Sequence, residues 1–567
     1  MTRPDSRSGK LLGMADRALS VSAVVRGWAQ RVPERVCLSF HAGDSVEQVT
    51  YGELAGRASA HARLFRERGL VPGDAIVLLA HSAPGFVAAF LGAQEAGLLA
   101  VPCPPPEPLE SARRVRERMR EILARCGARA LLGSGPAPLD GELSAALGET
   151  GVAVLAPPAA DAEDPEHGAG DAHGFPLAYC QFTSGSGGRS KGVLLTHDNL
   201  AANIRGMAQC FDLAGDESLV TWLPLHHDMG LVSYILMPLV LGHPGHVMSA
   251  LAFIARPISW LALMTRVCGT MAGAPNFAYG LCARKATDED VVALDLSSWR
   301  RAFNGSEPVT RAAVEAFSRR FAPCGFRSSA LLPSYGLAED TLCATSRRPG
   351  EGARFEEISR AALEEADLAR LEPGGLAVAS VGRALEGHEI SVVDSRGQAL
   401  GDRRIGEVVI RGDSVMRGYL PGTEGEVALS ADGALSTGDL GYLASGELFL
   451  VGRKKDLIIR AGRNHYPQDI EEVLSGVPGL RPGRAVAFSA PGPESERVVV
   501  AAERADERGD DVSALRAAID DAVFSATRIL ADDIVLLPRN SLPLTSSGKV
   551  MRPEARRLYL GGLWRDH

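Results

Sequence analysis

The chain has 567 residues, of which 46% are hydrophobic and 23% charged, and it contains 62 glycines and 34 prolines. This composition is that of a globular protein with more than one domain, and it excludes collagen-like, fibrous and disulfide-stapled chains. The formal net charge of −9 argues against a nucleic-acid partner, and nine cysteines without a CxxC spacing indicate buried thiols rather than a zinc site.

The chain predicts neither a secretory signal nor a transmembrane segment. Its first 19 residues lack an apolar core of sufficient length, and the most apolar stretch, Leu231 to Ala255, is interrupted by proline, glycine and histidine. A bilayer-spanning helix needs about 20 nearly uninterrupted apolar residues, so this stretch is predicted to be core. We therefore expect a soluble, cytoplasmic protein.

A strand–helix–strand unit is predicted near the start of the chain. AIVLLA (75–80) and LLAVP (98–102) have the pattern of buried strands, and the apolar positions between them follow a helical period. Similar alternation continues to about residue 340 and predicts mixed sheets layered with helices. The proline-rich segment 103–112 and the segment 156–175 are predicted to be surface loops.

The pattern of predicted secondary structure changes twice in the second half of the chain. Short strands with glycine turns between about 380 and 452 predict a β-rich subdomain. After residue 455, strands near 484–489, 496–503 and 534–538 and an amphipathic helix at 512–529 predict a compact α+β unit. The fold class is therefore α/β and α+β, with a large N-terminal domain (1–454) and a small mobile C-terminal domain (455–567), divided near Arg453–Asp456.

Lysine is rare in this chain, which gives weight to the few lysines present. There are six, at positions 10, 191, 285, 454, 455 and 549, and a lysine beside small residues is predicted to serve as a compact, mobile cation that arginine cannot imitate. The loop TSGSGGRSKG (183–192) combines Lys191 with glycines and with the hydroxyls of Thr183, Ser184 and Ser186. It is suited to a polyphosphate, or else it is a flexible surface linker.

Two further segments have residues suited to a nucleotide. In SYGLAEDTL (334–342), Tyr335 beside Gly336 offers a flat surface for a base, and Glu339 offers an oxygen ligand for a hard cation. The alternative is an ordinary loop leading into a helix. In STGDLGYL (436–443), Asp439 in a tight turn is suited to accept hydrogen bonds from ribose hydroxyls, or the segment is a simple turn.

The segment LPLTSSGKVMRPEAR (542–556) places Lys549 in a small-residue loop close to the C-terminal end of the sequence. From there the lysine could reach a site on another domain. The alternative is a solvated lysine in the tail.

In this order and at these spacings, the segments resemble the core motifs of the adenylate-forming superfamily, which includes acyl-CoA synthetases, luciferases and peptide-synthetase adenylation domains. The resemblance runs from TYGEL (50–54) to Arg552. Within the superfamily, four segments resemble the versions found in the fatty acyl-AMP ligases. A polar stretch near 343–379 is also similar to the insertion that separates these ligases from their CoA-using relatives. The four segments are WLPLHHDMGLV (222–232), APNFAYGLCARK (274–285), NGSEPV (304–309) and GRNHYPQDIE (462–471).

The resemblance implies that ATP activates a fatty acid to an acyl-adenylate with release of pyrophosphate. The acyl group then passes to the phosphopantetheine thiol of an acyl carrier protein or of a polyketide or peptide synthase. It implies that Lys549 bridges the carboxylate and the α-phosphate, that Glu339 helps to hold Mg²⁺, and that His227 lies near the acyl carboxylate. Asp228 belongs to the same neighbourhood without an assigned role, and Lys455 matches the hinge between the domains.

The resemblance also implies a set of nucleotide contacts. Tyr335 and Gly336 form the stacking surface for adenine, Asp439 takes the ribose hydroxyls and Arg453 supports it. The backbone that lines the base belongs to Asn304, Gly305 and Ser306. The residues that hold the phosphates are Thr183, Ser184, Ser186 and Lys191. The phosphate loop departs from the family pattern at Gly187 and Ser190, where threonine and proline are usual, which predicts a looser loop.

A carrier protein is acidic, so the resemblance implies a basic docking patch, for which Arg552, Arg556 and Arg557 are candidates. The tetrapeptide GDSV (412–415) resembles the pantetheine site of a carrier, but it lies in the strand-rich region and is interpreted as a turn. Two other functions stay open. One is a fatty acyl-CoA ligase of the same fold, and the other is a non-catalytic nucleotide-binding or carrier-docking module, suggested by the altered phosphate loop.

Overall fold

A computed structural model gives the structure of the chain for residues 20–106, 112–133, 151–158, 175–183, 191–423, 428–460, 463–492, 496–506, 512–545 and 548–564. Of the two predicted loops, residues 107–111 and 159–174 lie outside these ranges. The α-helices of the described part are Val21–Arg31, Tyr51–Glu67, Pro84–Glu95, Ala112–Cys126, His197–Cys210, Asp228–Leu231, Met237–Leu241, Ala250–Ala255, Ile258–Arg266, Asn276–Lys285, Asp288–Ala293, Arg311–Phe321, Arg360–Ala366, Pro467–Leu474, Val512–Thr527 and Arg552–Leu560.

The largest sheet has a parallel centre with antiparallel strands at its edges. Its strands are, in spatial order, Arg383–Ala384, Thr345–Ser346, Leu331–Tyr335, Arg301–Asn304, Met271–Ala274, Leu219–Thr221, Gly245–Met248, Val36–Ala42 and Ser45–Thr50. The neighbouring strands that end at Asn304 and Tyr335 run parallel. Their carboxyl ends therefore meet at one edge of the sheet, which is where open α/β sheets place their ligands.

The second large sheet contains the predicted strand–helix–strand unit. Its strands are, in spatial order, Gly418–Tyr419, Lys191–Thr196, Leu177–Thr183, Leu99–Cys103, Ala75–Leu79, Ala130–Gly133 and Ala153–Leu155. Ala75–Leu79 pairs parallel with Leu99–Cys103 across the helix Pro84–Glu95, and one continuous apolar core joins this helix to both large sheets. The mixed α/β layering predicted from the alternating pattern is confirmed.

The β-rich region is a smaller antiparallel sheet, with a separate two-stranded pair beside it. The sheet consists of His388–Val393, Gly406–Gly412, Leu435–Ala444, Ala428–Leu429 and Glu447–Arg453, and the pair of Phe355–Ile358 and Leu376–Ala379. Asp439 lies inside the strand Leu435–Ala444 and not in a tight turn, so that prediction is wrong. The register shifts opposite Val408, and Gly438 takes a φ of +73°, which produces the local bulge that misled the sequence interpretation.

The residues after Asp456 form the predicted strands and helix around their own apolar cluster. The strands Leu480–Ala490, Arg497–Arg504 and Asp533–Leu537 make one sheet, and Ile458–Arg460 pairs with Arg463–His465. The helices Pro467–Leu474 and Val512–Thr527 pack on the sheet through Ile470 and Ile519. Helical and strand periods alone therefore predicted this α+β unit.

The apolar stretch from Leu231 to Ala255 is core, as predicted, over residues 231–239, whereas Leu251 and Ile254 near its end are 59% and 61% exposed. Val232–Leu236 is a π-helical turn between two short α-helices, and all five of its side chains are buried. Among the described residues, no helix is long and apolar enough to cross a membrane. The nine cysteines are free, and only Cys268 among them is exposed.

Candidate active site

Lys549 reaches from the C-terminal unit to the edge of the largest sheet. Its Nζ donates a hydrogen bond to the backbone oxygen of Ser306, at 2.7 Å. The lysine is presented by a tight turn, in which the Thr545 N–H donates to the Lys549 oxygen and Gly548 adopts a φ of +85° that favours glycine. The alternative of a solvated tail lysine is therefore wrong.

Charged groups surround the ammonium group of Lys549. Burial lowers the pKa of Lys549, whereas the carboxylates of Glu307 and Asp228 oppose that shift. Burial raises the pKa of Asp228 to about 6. The N–H of Met229, which donates to Asp228 Oδ1 at 2.7 Å, opposes this rise because it stabilises the charged form. Burial and the charge of Lys549 lower the pKa of His227 to about 4, so His227 is neutral at pH 7.

Folding shifts the pKa values of the neighbours His227 and Asp228 in opposite directions. His227 falls from 6.5 to about 4, so the folded state loses stability as the pH drops from 6.5 towards 4. Asp228 rises from 3.8 to about 6, so the folded state gains stability as the pH drops from 6 towards 4. At about 1.4 kcal/mol per pKa unit, each effect is at most about 3 kcal/mol.

We expect single substitutions to separate these two effects. His227→Gln should reduce the fall in the unfolding temperature between pH 6.5 and 4.5, because it removes the group that charges on acidification. Asp228→Asn should make that fall steeper, because it removes the group that gains a proton more readily when folded. Thermal unfolding at several pH values measures both, and equal slopes in the two variants would contradict the burial of these groups.

A second part of the site joins Tyr335, Asp439 and Arg453. The Tyr335 hydroxyl donates to Asp439 Oδ2 at 2.7 Å, and Arg453 Nε lies 2.8 Å from Asp439 Oδ1. Asp439 and Arg453 are also partners in the register of adjacent strands. The three residues that the sequence assigned to one nucleotide are therefore in direct contact, and each carboxylate oxygen keeps a lone pair for a further donor.

Two glycines that directly follow Asn304 and Tyr335 are packed closely against backbone oxygens. A Cβ on Gly336 would lie 1.8 Å from the Leu342 oxygen, and one on Gly305 would lie 3.0 Å from the Ser334 oxygen. Asn304 is fully buried and donates to Asn276 Oδ1 at 3.2 Å, while no donor among the described residues reaches its own Oδ1. A buried acceptor without a donor fits an amino group of a bound base.

Glu339 and Lys191 are connected through Tyr419, which the sequence interpretation missed. The Tyr419 hydroxyl donates to Glu339 Oε1 at 2.7 Å, and Lys191 Nζ lies 5.6 Å from the centre of the Tyr419 ring. Tyr419 reaches this position because Gly418–Tyr419 pairs with the strand that begins at Lys191. The signal available in the sequence was an aromatic residue beside glycine in MRGYLPG, which is too common to stand out.

The phosphate loop is described only at its two ends. Thr183 ends one strand and pairs with Lys191 at the start of the next. Ser184 and Ser186, together with Gly187 and Ser190, lie outside the described residues. The predicted phosphate contacts of the two serines therefore stay predictions.

The turn that contains Glu339 is held by a buried polar cluster. His388 Nε2 lies 3.0 Å from Asp340 Oδ2, and the Ser414 hydroxyl donates to Asp340 Oδ1 at 2.8 Å. Ser414 belongs to the GDSV tetrapeptide, which forms a turn as predicted. Because its hydroxyl is buried in this cluster, Ser414 is not available as a pantetheine attachment site.

The predicted hinge residue Lys455 lies in a 3-10 turn, Lys454–Asp456. Arg552 follows the lysine turn and binds residues of its own unit, donating to both oxygens of Glu471 at 2.8 Å and to Asp456 at 2.5 Å. The prediction of Arg552 as part of an exposed docking patch is therefore wrong. Of the other candidates, Arg557 is exposed but paired with Glu554, at 2.6 Å.

These residues also interact electrostatically across the site. The charge of Arg453 acts on Lys549, and that of Glu339 acts on both Arg453 and Asp228. The site thus combines separated cations, a carboxylate suited to hydroxyl groups and a buried acceptor, which fits ATP. Among the described residues no three acidic, histidine or cysteine side chains form a metal site, so a Mg²⁺ ion at Glu339 would take its other ligands from phosphate oxygens and water.

Comparison with known proteins agrees with this geometry. The family model described as "AMP-binding enzyme" matches residues 25–420. The chain is 36% identical over 539 residues to the medium-chain-fatty-acid–[acyl-carrier-protein] ligase JamA of Moorena producens, across 91% of this chain and 90% of the relative. It is 35% identical over 545 residues to a "Putative acyl-CoA synthetase" of Caulobacter vibrioides, across 92% of each.

A solved structure from studies of fatty acyl-adenylate ligases of E. coli and L. pneumophila superposes with a TM-score of 0.88. Its sequence identity to this chain is 31%, and the alignment covers 97% of this chain and 99% of the other. The similarity therefore includes the C-terminal unit that contributes Lys549.

Proposed function

The chain belongs to the AMP-binding enzyme family of adenylate-forming ligases, and on that premise we propose that it joins a fatty acid to AMP and then transfers the acyl group to the phosphopantetheine thiol of an acyl carrier protein. The observation that supports this proposal best is the hydrogen bond from Lys549 to Ser306 at 2.7 Å. It places a cation of the C-terminal unit at the sheet edge where Asn304 and Tyr335 end their strands.

In the first step, an oxygen of the fatty carboxylate attacks the α-phosphorus of ATP. The bond between the α-phosphorus and the bridging oxygen breaks, and pyrophosphate leaves with the electron pair. Both reactants are anions, so the protein contributes mainly position and positive charge. Lys549 bridges the carboxylate and the α-phosphate, and neutral His227 donates a hydrogen bond near the carboxylate.

Nucleotide position follows from the second part of the site. Tyr335 and Gly336 provide the surface for adenine, Asn304 accepts from its amino group, and Asp439, supported by Arg453, accepts from the ribose hydroxyls. Lys191 and Thr183 lie at the ends of the loop that holds the phosphates. Glu339 would help to hold Mg²⁺, which would supply positive charge for the phosphate oxygens.

In the second step, the carrier thiolate attacks the acyl carbonyl, a thioester forms and AMP leaves. A rotation of the C-terminal unit about Lys455 withdraws Lys549 and opens the site to the pantetheine arm. JamA, whose name specifies an acyl-carrier-protein acceptor, supports the choice of a carrier. The relative named as an acyl-CoA synthetase favours free CoA as a second candidate acceptor.

A two-stage assay tests this function. The full chain is incubated with ATP, Mg²⁺ and fatty acids of graded length, and pyrophosphate and acyl-AMP are measured before a phosphopantetheinylated carrier or CoA is added. We expect pyrophosphate release that depends on the fatty acid, followed by acylation of the carrier in preference to CoA. Equal acylation of CoA would assign a CoA ligase, and ATP binding without pyrophosphate release would assign a non-catalytic module.

A further inference from the structure

Glu307 is a half-buried carboxylate that the reaction described above does not use. It directly follows Ser306, and its Oε1 accepts a hydrogen bond from the backbone N–H of Phe277 at 2.5 Å. Phe277 is the second residue of the helix Asn276–Lys285, whose preceding residue, Pro275, provides no side-chain cap. Glu307 therefore supplies the missing cap from another segment, at the helix end where negative charge is favourable.

The negative charge of the same carboxylate acts on the ammonium group of Lys549, which is bound to the oxygen of the preceding residue, Ser306. Of the groups that act on Lys549, Glu307 exerts the strongest attraction, Asp228 a weaker one, and Arg453 repels it. Among the described residues, His227 is a further titratable group on which the charge of Lys549 acts, and it is neutral at pH 7 because its pKa lies near 4. The Ser306 oxygen and the Glu307 carboxylate are thus consecutive groups that hold one ammonium group, the first by a hydrogen bond and the second by charge.

We propose that Glu307 is a positioning residue that keeps the Lys549 ammonium charged and in place in the cleft before substrates bind. Burial favours the neutral amine, and a neutral amine cannot stabilise the charge that develops on the carboxylate and phosphate oxygens. Glu307 counteracts burial in the unliganded enzyme. When the substrates enter, their own negative charges take over this task, and the lysine is already at the reacting atoms.

The hydrogen bond from Phe277 N–H to Glu307 also links Glu307 to a cluster of aromatic side chains. The Phe277 ring lies 6.4 Å from the Trp222 ring, which stacks on Phe253 at 3.7 Å, so this helix end forms one edge of an aromatic cluster. A Cβ on Gly548, next to Lys549, would lie 3.6 Å from the Phe277 ring. The carboxylate that attracts Lys549 therefore also holds the helix end beside which the lysine turn lies. The inference rests on the role proposed for Lys549.

Competitive acetylation measures the charge of Lys549 directly and without any fatty acid. The unliganded full chain is treated with trace acetic anhydride across a pH series, and the six lysines are quantified separately by mass spectrometry. Glu307→Gln removes the charge but leaves an amide oxygen to accept from Phe277. We expect the midpoint of Lys549 reactivity to move about one pH unit lower in this variant, while that of the exposed Lys285 does not move.

Glu315→Gln is the matched control, because Glu315 is an exposed acid in the middle of the helix Arg311–Phe321. It should leave the Lys549 midpoint unchanged. Glu307→Asp keeps the charge. The midpoint of Lys549 reactivity in this variant should therefore lie closer to the native value than the midpoint in Glu307→Gln does. An unchanged midpoint in folded Glu307→Gln, or a midpoint in Glu307→Asp as low as in Glu307→Gln, would overturn the proposal.

The adenylation reaction gives a second readout. In Glu307→Gln, the alkaline limb of the pH profile of kcat/KM should move to lower pH, whereas thioester formation from supplied acyl-adenylate should not change. A purely structural role would leave the position of that limb unaltered and would overturn the proposal. Absence of fatty-acid activation in the native protein would instead refute the proposed function, while the acetylation experiment would still decide the role of Glu307.

Discussion

Replacing Lys549 with alanine is expected to lower the rate of acyl-adenylate formation by roughly 10²–10³-fold, the usual cost of losing one stabiliser of transition-state charge. The ammonium group lies at the sheet edge, held by the Ser306 oxygen at 2.7 Å. Among the described residues no other lysine binds the Ser306 oxygen, so the lost hydrogen bond and charge would not be replaced by another lysine. Fatty-acid-dependent release of pyrophosphate measures the effect.

The same variant should retain most of its ability to transfer the acyl group from supplied acyl-adenylate, because the proposed mechanism uses the lysine in the first step only. Lys285→Ala, which removes an exposed lysine at a helix end, is the matched control and should not change either step. An equal loss of both steps in Lys549→Ala would show that the lysine maintains the structure instead of assisting adenylation.

The second large effect is expected at Asp439. Asp439→Ala removes the acceptor proposed for the ribose hydroxyls, and a hydrogen bond to a charged group contributes about 1.5–3 kcal/mol, so the affinity for ATP should fall roughly 10–100-fold. The substitution also leaves the buried Tyr335 hydroxyl without its acceptor at 2.7 Å. Nucleotide titration of the folded variant, checked by thermal unfolding, measures the change.

Tyr335→Phe separates the two contributions, because it removes the internal hydrogen bond and keeps the carboxylate. Its effect on ATP affinity should be smaller than that of Asp439→Ala. Asp432→Ala is the matched control, since Asp432 is an exposed acid of the same subdomain, paired with Arg411 at 2.8 Å. Nucleotide affinity unchanged in Asp439→Ala would remove Asp439 from the site.

Elements with a strong local period could be predicted from the sequence. The strand Ala75–Leu79, the helix Pro84–Glu95 and the helix Val512–Thr527 all lie within a few residues of their predicted bounds, because burial of one face imposes the period locally. Asp439 was placed wrongly in a turn. It lies between Gly438 and Gly441, and such closely spaced glycines are equally typical of turns and of bulged strands.

Contacts between distant segments could not be predicted in this way. The motifs correctly brought together Tyr335, Asp439 and Arg453, because each motif is itself a recognisable pattern. Tyr419 and Glu307 escaped notice because their importance depends on which strand or helix lies beside them in the folded chain. Arg552 was misjudged for the same reason, as its partner Asp456 is 96 residues away and a charge in a sequence does not reveal its counterion.

That ion pair has a mechanical consequence. Arg552 joins the segment just after Lys549 to Asp456, next to the proposed pivot, so the lysine turn and the start of the C-terminal unit are tied together. In the proposed rotation, withdrawal of the cation and exposure of the opposite face of the C-terminal unit would therefore be a single event.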